Sequence, residues 1–182
     1  LQRDINALSI KASQYAIPGE LDSLYSRLGA SGLNAYTSDE ETAYLVNLPI
    51  NRLEQWAIVE SERFAQPVFR LFQSELEAVY EEKNMSLDNK EHLLMEAVES
   101  QLYKKHPYGT QATLGRVEHL KNPSLSKMYE FYRTYYVPNN MIWSAVGPFS
   151  TSELIKKIEK RFGGLSAKKL TTDMSKTIPL HT

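Results

Sequence analysis

The 182-residue chain contains no cysteine. That excludes disulfides, thiolate metal sites and a cysteine nucleophile, and it leaves the compartment open. Histidine is scarce too: the four are His92, His106, His119 and His181, and no two are spaced as neighbours on one helix face. A helical histidine pair of the kind that holds zinc is therefore absent. No apolar run approaches the ~20 residues needed to span a bilayer, and no signal peptide is visible. Low-complexity tracts and internal repeats are lacking as well. The chain is expected to be soluble, with localisation unassigned.

What is present is ordinary in bulk and uneven in detail. Hydrophobic residues make up 42% and charged residues 24%, and the length is ample for one sizeable core. Residues 1–100 carry 17 acidic and 8 basic side chains, and residues 101–182 carry 5 and 13. An acidic half could hold a cation and a basic half could meet a polyanion, or the two could simply pack together. The patterning predicts helices over about 2–17 and 19–29, then a hairpin of 33–38 and 42–49 across Asp39-Glu40-Glu41. Further helices are expected over 50–65, from Pro67 to about Met85, and from an Asp-x-x-Glu start at 88–91 to Leu102. Residues 104–115 read as loop, and Pro123 as the opening of an aromatic-rich helix. "NMIWSAVG" (140–147) reads as a buried strand. Ser150 and Glu153 read as the capping box of a last helix that stops at Gly163-Gly164. Paired strands with segregated helices point to an α+β fold with an antiparallel sheet.

The helix "FQSELEAVYEEKNM" (72–85) holds the first chemical candidates. At about 100° per residue from Phe72, Leu76 and Val79 lie on the apolar stripe. Glu77 and Glu81 fall at roughly 140° and 180°, where solvent is expected. Glu75 and Glu82 fall near −60° and −80°, on the flank of the stripe. Two flank carboxylates suit a metal ligand with a supporting acid, or an acid/base pair. Equally, they suit glutamates that curl out to water or pair with a neighbouring helix.

Other stretches are open in the same way. His106 in "HPYG" reads as part of a shaped structural loop. Gly29 and Gly32 precede a strand, not a helix, so they form no phosphate-binding turn. An edge strand reached in this way could pair with an extended peptide, or could merely cover the core. The aromatic run 129–136 has helical spacing and reads as core packing; a nucleic-acid surface would need stacking platforms instead.

Four blocks in register give a more specific signal. They are "GASGLNAYTSDEETAYLVNLP" (29–49), "ELEAVYEE" (75–82), "HPYG" (106–109) with "LG" (114–115), and "FYRTYYVPNNMIWSAVG" (131–147). Across about residues 25–165 the chain resembles the pitrilysin/insulinase family of zinc metallopeptidases. The resemblance implies a half-domain of the pitrilysin/mitochondrial-processing-peptidase type, hydrolysing peptide bonds with Zn²⁺. Glu82 matches the later zinc ligand, and Glu75 the carboxylate that supports the catalytic site. Asn34 and Ala35 match the edge strand that pairs with substrate backbone.

One departure is clear: no His-x-x-Glu-His stands in this sequence. Either that motif precedes Leu1 in a longer parent, or the parent has lost it. The first reading makes residues 1–18 a helical tail from an insertion, 19–165 a partial peptidase domain truncated at its N-terminal side, and 166–182 a linker or chain end. The fragment alone is then expected to be inactive and to bind no stoichiometric zinc. Its partners would be a peptide or protein substrate and a second homologous half, with no nucleic acid and no membrane. The rival is a non-catalytic scaffold or substrate-binding half of the same fold.

Overall fold

The structure, a computed structural model, describes residues 8, 11, 14–69, 71–121 and 124–167. Most of the predicted 2–17 helix, Pro123 and the 168–182 tail lie outside the described residues. Helix α1 (Glu20–Arg27) leads through Gly29 into strand β1 (Ser31–Thr37), which pairs antiparallel with β2 (Thr42–Asn47). The hairpin matches the sequence expectation. Its register sets Asn34 opposite Leu45, Ala35 opposite Tyr44 and Thr37 opposite Thr42, with a bulge between Ser31 and Asn34. Gly32 sits in the bulge at φ 61°, where a Cβ would lie 2.8 Å from the side-chain Nδ2 of Asn47. Left-handed backbone against a close neighbour requires glycine here.

Past a 3₁₀ turn at Ile50–Arg52, α2 (Leu53–Ala65) buries Ala57 and Phe64. Helix α3 (Phe72–Leu87) begins five residues later than Pro67 suggested. The cause lies in tertiary contacts. Phe69 N–H donates to the Tyr129 hydroxyl at 3.2 Å, and the two rings lie 4.7 Å apart, so Phe69 is tied to Tyr129 instead of joining the helix. Helix α4 (Lys90–Leu102) is capped by Asn89 rather than Asp88, its Oδ1 accepting from the Glu91 and His92 amides. One short helix, α5 (Pro107–Thr110), interrupts the expected 104–115 loop, and a second, α6 (Val117–Lys121), follows it. Ser124 caps α7 (Leu125–Tyr135), and α8 (Thr151–Phe162) ends at Gly163 as expected. Ser150 stands at the α8 N-cap, yet its hydroxyl meets Ser152 Oγ at 2.9 Å instead of making a capping bond.

One expected element is different. Residues 141–147 run without regular structure and join no sheet among the described residues, so the described sheet has two strands. Ile142 and Val146 are 95% and 100% exposed. A strand needs a neighbour to bond its backbone, and none of the described residues supplies one. Met141 and Trp143 turn inward, Trp143 between Trp56 (ring centroids 5.4 Å), Phe64 (5.6 Å) and Phe162 (4.5 Å). This is the centre of the core, where α2 packs on α8. Leu154, Ile158 and Phe162 recur every fourth residue along α8 and form its inner stripe. At the rim, Glu54 of α2 accepts from Arg161 at 2.7 Å and from Lys157 at 3.1 Å. These donors hold the Glu54 carboxyl below its usual range, the Arg161 hydrogen bond first among the causes.

Candidate functional site

In an antiparallel pair, opposite residues share a face. Tyr44 packs against Phe64 and Tyr136 (5.8 and 6.4 Å), so Ala35 belongs to the face turned towards α2. Asn34, Tyr36 and Leu45 share the outer face, where Tyr36 and Leu45 are about half exposed. Asn34 Oδ1 accepts from the Ala35 amide at 2.8 Å. Among the described residues, β1 pairs with β2 only.

Beneath this hairpin runs a buried polar network. Tyr25, 1% exposed, donates its hydroxyl to Glu60, itself 4% exposed. Arg63 Nη1 lies 3.3 Å from both Glu60 oxygens, and its guanidinium sits over the Tyr44 ring at 4.5 Å. Tyr44 and Tyr136 share a hydroxyl–hydroxyl bond of 2.9 Å, and the Tyr132 hydroxyl donates to the Phe64 carbonyl at 3.0 Å. Burial, then the Glu60 bond, pushes the Tyr25 hydroxyl far above the ordinary tyrosine range. Burial likewise raises Tyr44, helped by Tyr136, and raises Tyr132 to about 12. All three therefore remain neutral at physiological pH. Sequence reading missed this network, although Glu60 and Ser61 fall between Ala57 and Phe64 on the stripe of α2.

The carboxylates of α3 lie elsewhere than helical phase suggested. Glu75 and Glu82 are both exposed, and neither side chain makes an ion pair or hydrogen bond among the described residues. The helix packs chiefly on α4 and α6. An open hollow of about 540 Å³ lies against α6, bounded by Leu76, Tyr80 and Leu120 with Glu77, Glu81 and Lys121. Glu77 and Glu81 are exposed, as expected, and rim this hollow. The charged residue that α3 buries is Lys83, 5% exposed, which donates to Glu96 of α4 at 3.2 Å. His92 Nε2 lies 3.1 Å from the same Glu96 oxygen. From Phe72, Lys83 falls at about +20°, on the centre of the stripe, a position the carboxylate reading overlooked. His106 has the structural role expected of it: its Nδ1 accepts from the Tyr108 amide at 3.4 Å, capping α5.

These residues do not amount to a zinc site. Among the described residues no three His, Asp or Glu side chains are grouped so as to hold a metal ion. Glu82 belongs to no such group. No helix among the described residues is long and apolar enough to cross a membrane.

Comparison with known proteins decides the family. The profile described as "Insulinase (Peptidase family M16)" matches residues 6–114, and that of "Peptidase M16 inactive domain" matches residues 124–181. The chain belongs to the M16 (insulinase/pitrilysin) peptidase family. It is 31% identical over 147 residues to "Uncharacterized zinc protease YmfH" of Bacillus subtilis, covering 80% of this chain and 34% of that protein. It is 27% identical over 165 residues to "Zinc protease PqqE" of Helicobacter pylori, covering 87% and 36%. Its fold resembles "a protease from Helicobacter pylori" at a TM-score of 0.77 and 25% identity, over 85% of this chain and 38% of that one. The first half of the periplasmic protease PqqL from Escherichia coli has the same fold, at a TM-score of 0.73 and 21% identity, over 83% and 34%. This M16 chain thus spans about a third of the length of the relatives it matches.

Proposed function

We propose that this M16 chain is part of one half of a zinc-dependent metalloendopeptidase. In that reading β1, through Asn34 and Ala35, pairs with the backbone of an extended peptide, and Glu82 is one ligand of a Zn²⁺ ion held mainly by residues outside this chain. Glu75 supports that site. The match of residues 6–114 to the peptidase profile, with relatives named zinc proteases, carries the reading. Among the described residues β1 pairs on one side only, which supports the peptide-binding part, since main-chain pairing recognises extended peptides with little regard to side chains. An exposed carboxylate on α3 is accessible to a partner surface. By itself the chain supplies one ligand and should not cleave peptides; a second homologous half and the remaining ligands complete the enzyme.

The second reading is a non-catalytic M16 half that binds substrate or acts as scaffold. The match of residues 124–181 to the inactive-domain profile favours it. Peptidase assay of the full-length protein that carries this chain, beside its Glu82→Gln variant, separates the two. Cleavage and zinc content that both collapse in the variant support the enzyme. A full-length protein without His-x-x-Glu-His and without cleavage establishes the scaffold.

A further inference from the structure

The His106-Pro107-Tyr108-Gly109 motif has no part in the reading above, yet each residue has a definite task. His106 caps the single turn of α5, and Pro107 takes the first helical position, where its lack of an N–H costs nothing. At Gly109 a Cβ would sit 2.3 Å from the Tyr103 carbonyl oxygen and 2.6 Å from that of Glu99. Only glycine lets α5 seat so closely on the end of α4. Tyr108 is then aimed by its neighbours, with its ring 5.5 Å from Tyr103 and 4.3 Å from His106, edge-on to both.

The Tyr108 hydroxyl donates to Glu40, at the tip of the β1–β2 hairpin. Thr113 Oγ1 donates to the adjacent Asp39 at 3.1 Å. Within the tip, Ser38 N–H bonds the Glu41 carbonyl at 2.8 Å, and the Ser38 hydroxyl accepts from the Glu40 and Glu41 amides at 3.4 and 3.3 Å. The tip is thus a stiff unit held from outside at two consecutive residues. One attachment would leave a pivot, whereas two restrain position and rotation together. A two-stranded ribbon is marginal unaided, and β1 has no further strand beside it among the described residues.

We propose that the 106–113 loop is a clasp, with Tyr108 and Thr113 as positioning residues that hold the hairpin and thereby the outer edge of β1. Resting on the peptide-pairing reading above, the clasp pre-arranges that edge so that an incoming peptide spends less binding energy on ordering it.

Amide hydrogen exchange on the 182-residue chain tests the clasp without reference to catalysis. In Tyr108→Phe and Thr113→Val, amides of residues 31–47 should exchange about threefold to tenfold faster, and faster still in the double variant. Amides of α2 should be unchanged. Glu40→Gln should stay near wild type, because its amide oxygen still accepts. Unchanged exchange over 31–47 in the double variant, or equal acceleration throughout the chain, overturns the clasp. In the full-length protein, Tyr108→Phe should raise KM for a peptide several-fold and leave kcat within about twofold; a fall in kcat at constant KM counts against positioning. Absence of cleavage in the unmodified full-length protein removes the peptidase reading, and the exchange result then decides the clasp alone.

Discussion

At the scale of single residues, the most consequential group is Glu60, buried between Tyr25 and Arg63. A charged acceptor out of water depends on every donor it has. Tyr25→Phe should therefore cost about 2 kcal/mol of stability in urea unfolding, since a buried bond to a charged group is lost and no cavity is made. Gly109→Ala should destabilise by more than the few tenths expected of a surface change, because the new methyl meets backbone carbonyls rather than flexible side chains. Lys83 is a reminder of what periodicity conveys. Its helical phase lies on the buried stripe, and the α4 partner Glu96 explains how a lysine is accommodated there.

At the scale of elements, Trp143→Ala should cost about 3 kcal/mol, read from the urea midpoint, because it empties the space between α2 and α8. The Glu54 bridge joins the same two helices and adds a pH dependence. With a folded pKa below the ordinary value of 4.5, its contribution is fully present above that value and is lost as pH falls through the depressed one. Glu54→Gln should flatten this acid limb of a stability–pH profile and leave its neutral region less stable. Helix α8 and the hairpin were legible in sequence because their signals are local: an every-fourth-residue stripe with a glycine stop, and alternating residues about a short acidic turn. The strand expected at 140–147 was not, because strand formation is a property of two segments and the apolar run describes one. The start of α3 was missed for a related reason: Phe69 is claimed by Tyr129, sixty residues away. Helices α5 and α6, of four and five residues, are too short for any period to appear.

At the scale of the whole molecule, family membership was readable from four blocks in order, whereas the geometry of Glu82 was not. Helical phase assigns a side chain to a face, but it does not say which neighbour covers that face; here α4 and α6 pack on α3 and leave Glu82 exposed. After incubation with excess Zn²⁺ and dialysis, elemental analysis of this chain should find substoichiometric metal, and Glu82→Gln should not change the result. On the proposed peptidase reading, Glu75→Gln in the full-length protein should lower activity or zinc affinity about 10- to 100-fold, the usual effect of removing a carboxylate that supports a metal site. The stretch holding Ile142 and Val146 has a practical consequence. Fully solvated aliphatic side chains on backbone that joins no sheet among the described residues make the purified polypeptide prone to stick to copies of itself. Turbidity should rise with protein concentration, and the Ile142→Lys, Val146→Lys double variant should raise the concentration at which it begins.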